Sequence, residues 1–461
     1  MFGVKARRAV IALILALAAA SVLPVTASAS DPTIKTGAFA DGATWLIEVP
    51  TPWNGTLLLY SHGYVVPGRA NPAQDVGAGT HAFLLANGFA LAGSSYAGTG
   101  WALKEAVTDQ LATLDVFATE VGTPTRTIAW GHSLGGIITA ELLQKAPNRF
   151  TAALPMCGVL AGGVGTWNQA LDSAFAIQQL LLNGSGLQIA HITNPSANLN
   201  NAESLIATAH LTAAGRARLA LASALGDLPG WFDPASAEPA ATDYAAQEAN
   251  QYSWITQVDA PFQFALRAEL EFRAGGNPSW NTGVNYHVQL AHSVDLAEVQ
   301  GLYQEAGLSL EADIATLNSA PRIAADDNAV KYLENNIVFN GDLGGKPVLT
   351  MHTTGDGLVV NTDEQAYRSI VNRAGNGALL REVFVHRAGH CAFTPAETVA
   401  ALEALISRIN TGHWASVTNP DTLNASATAL GTLNVAPASF ISFEPARFLR
   451  PFDSSNLPEP V

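Results

Sequence analysis

Arg126-Thr127-Ile128-Ala129-Trp130-Gly131-His132-Ser133-Leu134-Gly135-Gly136-Ile137 changes character at its centre. Residues 126–130 are rich in β-branched and apolar side chains and read as a strand, whereas 137–145 continue with helix formers. Between the two stands Gly-x-Ser-x-Gly, completed by Gly136. A serine on such a sharp strand-to-helix turn needs small neighbours, because larger side chains would clash there, and the turn lifts its hydroxyl clear of the sheet. Ser133 is therefore the candidate nucleophile.

The flanking segments extend the alternation. Residues 45–49 and 56–60 read as strands separated by Pro52-Trp53-Asn54-Gly55, and 89–93 as a third. Residues 103–121 carry Ala106, Gln110, Leu114 and Phe117 at helical spacing. A strand at 152–157 ends in a glycine-rich turn. Strands alternating with helices predict an α/β chain with a mostly parallel sheet flanked by helices. The pattern then turns helical, at 167–182, 202–225, 244–273 and 294–317, interrupted by Gly275-Gly276-Asn277-Pro278-Ser279-Trp280-Asn281. The sheet resumes at 347–352, followed by Thr353-Thr354-Gly355-Asp356, a helix at 363–374, a strand at 380–386, Ala388-Gly389-His390-Cys391 and a helix at 395–409. The expected organisation is a leader (1–29), a first core part (30–158), a helical lid inserted before the acid-bearing strand (159–342), a second core part (343–415) and a C-terminal arm (416–461). Phe440, Phe443, Phe448 and Phe452 predict that the arm packs.

Lys5, Arg7 and Arg8, an apolar run over 9–23 and Ala27-Ser28-Ala29 form an export-signal pattern, with cleavage expected after Ala29. The run falls short of the roughly 20 residues that span a bilayer, so no stable membrane anchor is expected after cleavage and the mature chain should be extracellular. Removal of the leader takes three of 23 basic side chains and none of the 38 acidic ones, deepening the net charge from −15 to −18. Without a Lys/Arg cluster, that balance argues against a nucleic-acid partner. Hydrophobic residues at 48% against 13% charged indicate a large core. The two cysteines, Cys157 and Cys391, suit one bridge in an oxidising compartment. Metal-ligand spacings are lacking, so neither metal nor cofactor is expected.

The segments 40–158 and 343–412 resemble the α/β-hydrolase family, whose serine, acid and histidine follow in that chain order. The resemblance implies Ser133 as nucleophile, Asp356 as the orienting acid and His390 as general base, with one helix and one strand between acid and base. Asp342 comes too early for the strand end, and Asp363 already lies on the helix. His386 lies inside its strand, while His132 and His352 read as structural or pocket-lining. Ser61-His62-Gly63-Tyr64 matches the family's oxyanion loop, which implies the backbone amides of Tyr64 and Leu134 as oxyanion donors. His390-Cys391 is similar to the tannase and feruloyl-esterase group, where the cysteine after the histidine bridges to one before the serine. Here His132 precedes Ser133, so a bridge must run to Cys157, at the tip of the strand that the fold places beneath the histidine loop.

The Gly-His-Ser-Leu-Gly-Gly form resembles secreted esterases and lipases, which implies hydrolysis of a small-molecule or polymeric carboxylic ester. A secreted peptidase of the same fold is the alternative and would need an acidic anchor for a free amino terminus, with Glu269, Glu271 and Asp295 as candidates. Trp167, Trp254 and Trp280 are candidate pocket walls, with the lid core as the alternative place for each.

Overall fold

The computed structural model describes residues 30–181 and 184–452. The leader, Leu182, Asn183 and the last nine residues lie outside the described residues, and with them the expected signal sequence and its cleavage site. Among the described residues nine strands form one sheet: β1 (Ser30–Ala38), β2 (Thr44–Thr51), β3 (Thr56–Ser61), β4 (Ala90–Ser94), β5 (Arg126–His132), β6 (Ala152–Met156), β7 (Val348–Gly355), β8 (Leu380–Ala388) and β9 (Phe440–Ile441). Their spatial order is β1-β2-β4-β3-β5-β6-β7-β8-β9. The pairs from β4 to β8 are parallel, and β1–β2, β2–β4 and β8–β9 are antiparallel.

The central strands are short apolar runs because both faces are covered. On one face Leu57, Leu59, Ala129 and Ala153 pack against the helices Leu103–Glu120 and Leu134–Lys145. On the other, Leu58, Ile128, Leu154, Met351 and Val385 pack against the helix Pro395–Thr411 and against Trp414 and Leu423 beyond it. An open, mostly parallel sheet wound with helices on both faces, with the serine turn after a central strand, is the α/β-hydrolase fold.

Between β6 and β7 the described residues contain helices and no strand. They build a second core around Phe175, Leu221, Trp254, Phe264, Tyr286 and Tyr303. The continuous helices expected at 202–225 and 294–317 are each broken. Thr212 caps a new helix by accepting a hydrogen bond from the Gly215 amide, and Gly307, in the left-handed region, ends one helix before Ser309 caps the next. The expected helix at 244–273 is continuous from Tyr244 to Ala274 but contains two π-helical turns, Ile255–Asp259 and Phe262–Leu266.

The C-terminal segment packs on both parts. Its helix Pro420–Ala429 covers the core, β9 extends the sheet beside β8, and Phe440 is buried among core residues. Further on, Phe448 is buried in the helical core, and Arg450 pairs with buried Asp172 while donating to the Trp280 carbonyl at 2.8 Å. No helix among the described residues is long and apolar enough to cross a membrane.

Candidate active site

Because parallel strands point the same way, the loops after β5, β7 and β8 emerge at one edge of the sheet. Ser133 directly follows β5 with φ 57° and ψ −124°, and its amide is held to the Met156 carbonyl at 3.0 Å. The glycines around it are required by close approach. A Cβ on Gly131 would stand 2.4 Å from the Ser61 carbonyl oxygen, and one on Gly135 only 1.9 Å from the same atom.

The register of β7 and β8 pairs Gly355 with Ala388, so the next residues of each strand meet. His390 Nδ1 lies 2.7 Å from Asp356 Oδ2, and His390 Nε2 lies 2.8 Å from Ser133 Oγ. An ionised carboxylate only accepts, so Nδ1 carries the hydrogen and Nε2 is free to accept from the serine hydroxyl. The other Asp356 oxygen accepts from the amides of Leu358 and Val359 at 3.0 and 3.1 Å. Burial pushes the Asp356 carboxyl up, but the neighbouring His390 and His352 outweigh it and bring it down to about 2.

His352 is wholly buried behind Asp356, 3.6 Å from its Oδ2. Its Nε2 faces the Val359 carbonyl at 2.8 Å, and its Nδ1 faces Glu364 Oε1 at 3.0 Å. Both partners accept, so the ring carries both hydrogens. Burial opposes that charge, but Asp356 and Glu364 raise the imidazolium to about 10.

The histidine loop is fastened at several points. The Cys157–Cys391 disulfide ties it to the tip of β6. Arg387 donates to the Ala392 carbonyl at 2.7 Å and pairs with Glu397 at 2.6 Å. Glu397 in turn closes a capping box with Thr394 at the start of the following helix. Finally, Thr353 Oγ1 donates to the Gly389 carbonyl at 2.8 Å.

Ser133 opens into a cavity of about 570 Å³, counting its mouth, walled by Tyr64, Trp101, Leu134, Trp167, Phe262 and Leu358 among others. Leu134 is the first residue of its helix, so its amide has no carbonyl within that helix. The Tyr64 amide makes no hydrogen bond among the described residues. Both residues assigned as oxyanion donors thus border the cavity that holds the serine.

The rival residues lie elsewhere. His386 lies tilted against Trp231 and faces Glu238 at 3.5 Å, and Asp342 is an exposed turn residue accepting from the Gly344 amide. His132 is bonded to the Tyr60 hydroxyl. Asp363 is buried on the helix Thr362–Arg373. Of the three tryptophans weighed between pocket wall and lid core, Trp167 lines the cavity. Trp254 is core, donating to the Trp231 carbonyl, and Trp280 packs on Phe452. The candidate amino-terminus anchors are not in the cavity lining either. Glu269 accepts from the Trp101 amide and Arg273, and Glu271 from Arg267 and the His191 and Ile192 amides, while Asp295 heads the helix Leu296–Ala306. Trp101 and Asp259 also border the cavity, and no motif announces either. Trp101 precedes a core helix, and Asp259 is the last residue of a π-turn.

A nucleophile turn on this sheet, with histidine and aspartate in line behind it, defines a serine hydrolase of the α/β-hydrolase superfamily. The profile of the prolyl oligopeptidase family matches residues 87–174. Over 431 residues the chain is 30% identical to an o-phthalyl amidase from Xanthobacter agilis, covering 87% of this chain and 92% of that protein, and it belongs to the same family. Among solved structures it is similar to an esterase from Aspergillus oryzae, with TM-score 0.42, 14% identity and coverage of 83% of this chain and 79% of that one. Feruloyl esterase B from the same organism gives TM-score 0.37 and 15% identity, with 82% and 80% covered.

Proposed function

We propose that the chain is an exported hydrolase cleaving carboxylic esters through an acyl-enzyme on Ser133. The observation that carries this reading is the unbroken hydrogen-bond chain from Ser133 through His390 to Asp356 at the mouth of an aromatic cavity. Ser133 Oγ attacks the acyl carbon while His390 Nε2 takes its proton, and the imidazolium so formed is stabilised by Asp356. The carbonyl oxygen, now negative, receives the Leu134 and Tyr64 amides, each such donor contributing about 3 kcal/mol to lowering the barrier. His390 then protonates the departing alcohol. Water, deprotonated by the same histidine, releases the acid and restores Ser133. In this reading the block at 159–342 acts as a lid, since it supplies Trp167 and Phe262 to the cavity. Export is supported by the leader pattern and by the disulfide.

One observation favours a second reading, hydrolysis of an aryl amide: the 30%-identical relative is an o-phthalyl amidase. The same residues serve both, but an amide nitrogen must be protonated by His390 before it departs. Kinetics on aryl esters of rising acyl length beside the matching anilides separate the two. Ser133→Ala should lose at least roughly 10³-fold in turnover with either, together with labelling by a fluorophosphonate. A Ser133→Ala enzyme that still turns over and still labels overturns the nucleophile assignment.

A further inference from the structure

The cavity at Ser133 is aromatic and apolar around most of its wall, yet one carboxyl is built into it. Asp259 lies on the first π-turn, on the same helix face as Phe262 and Gln263, and all three line the cavity. It is 7% exposed, makes no side-chain hydrogen bond among the described residues, and its Oδ2 has no partner there. A buried, unpaired carboxyl costs stability, and one placed in the cavity that holds the candidate nucleophile points to a ligand. π-Turns often stand at functional sites, and here Asp259 ends one of them in the cavity lining while Trp254, Ile255 and Phe264 stay in the helical core.

The neighbouring groups decide what that ligand offers. Thr166 Oγ1, Trp167 Nε1, Trp101 Nε1 and the Tyr64 hydroxyl belong to residues that also line the cavity, and they too lack partners among the described residues. Each of these can donate, and an indole nitrogen can do nothing else. The ionisable groups facing Asp259 are Tyr64 in this cavity, Asp363 in the adjoining one that Asp259 also lines, and Asp356 beyond. Neither lining contains Arg, Lys or His. Burial, reinforced by the Asp356 charge, pushes the Asp259 carboxyl well above the usual carboxylate range, and with no cation in either lining to hold a negative charge the site favours the protonated, hydrogen-bond-donating form.

From this geometry we infer that Asp259 is a specificity-determining residue that donates a hydrogen bond to an acceptor oxygen carried by an aromatic acyl group. The inference rests on reading the cavity as the acyl site of Ser133. An uncharged substituent and a carboxylate both supply such an oxygen. An ammonium group would instead pair with an ionised Asp259, and the aminomethyl ester below separates that case.

The test uses 4-nitrophenyl benzoates whose acyl ring carries hydrogen, methoxy, carboxylate or aminomethyl. The kcat/KM of each substituted ester is divided by that of the unsubstituted one within each variant, so that a general loss of activity cancels. The wild type should prefer methoxy or carboxylate at least about tenfold. Which of the two is preferred identifies the source of the oxygen. Asp259→Asn, whose amide still donates, should keep the preference within about threefold, and Asp259→Leu should abolish it. The wild-type preference should decline as pH rises and the acid ionises, whereas that of Asp259→Asn should stay level. A preference for aminomethyl that Asp259→Asn removes, equal rates on all four esters, or a preference surviving in Asp259→Leu would each overturn the inference. Failure of the acyl-enzyme reading looks different: the unsubstituted ester would then be untouched, or cleaved without Ser133.

Discussion

His352 gives Asp356 a fixed charge partner away from solvent, and this shapes what substitutions at the triad should do. The aspartate accepts two backbone amides on one oxygen and His390 on the other, with the imidazolium 3.6 Å behind it. Its task in the proposed mechanism is to fix the tautomer of His390 and stabilise the charge formed there; it transfers no proton. Asp356→Asn keeps the shape but offers His390 a neutral group, and should lower kcat roughly 10⁴-fold. His390→Ala removes the base itself and should cost more, roughly 10⁶-fold. Steady-state rates of the two variants, with circular dichroism to verify folding, check the order. If Asp342→Asn proved the damaging change instead, the acid assignment would fail.

At the scale of elements, the parts that carry the proposed chemistry are the legible ones, because each is announced locally. The strand–Gly-x-Ser-x-Gly–helix passage specifies its own turn, and chain order then points to Asp356 and His390 as the ends of two later strands. β1 carries no such signal: Ser30–Ala38 alternates weakly and leaves Ile34 exposed, since it is an edge strand with little to bury. The helix breaks at Thr212 and Gly307 are hidden because apolar spacing continues across them while capping ends the helix. Asp259 is illegible for a deeper reason, since a cavity wall is decided by which helix face tertiary packing turns inward. The disulfide joins two of the legible elements. Closing a loop across a sequence separation of 234 restricts the unfolded chain by about 5 kcal/mol on entropy grounds. Its position next to His390 adds a kinetic consequence. Cys391→Ser should lower Tm and also reduce kcat well below the melting transition, because the base loses its tie to β6. A rate unchanged at temperatures where the variant is fully folded would make the bridge purely structural.

The whole molecule holds many acids away from water, and this sets how its stability should respond to pH. Burial raises Asp227, Glu248 and Asp295 to about 7, and Glu298, Asp363 and Glu382 to about 8. Like-charged neighbours add to several of these shifts, as Asp295 does for Glu298 and Glu364 for Glu382. An acid raised in the folded state binds its proton more tightly there than in the unfolded chain. Its contribution is therefore greatest below the ordinary carboxylate range and is lost as pH climbs through the folded value. His352, raised to about 10, acts with the same sign: its stabilisation is complete below about 6.5 and fades toward 10. Asp356 works oppositely, but its window lies between about 4 and 2. Buried His62, His132 and His210 are lowered, so they oppose folding only as pH drops below about 6.5. Between about pH 6.5 and 9 these shifts all act in one direction, and Tm should fall across that interval by on the order of 5 °C. Glu298→Gln isolates one contributor. Glu298 accepts from Gln251 at 3.0 Å and has a second oxygen without a partner among the described residues, so the amide keeps the shape while removing the proton linkage. Calorimetry from about pH 6.5 to 9 should show a shallower decline for that variant than for the wild type. A wild-type Tm that stayed level or rose over the interval would mean that the buried acids are ionised and paired in solution.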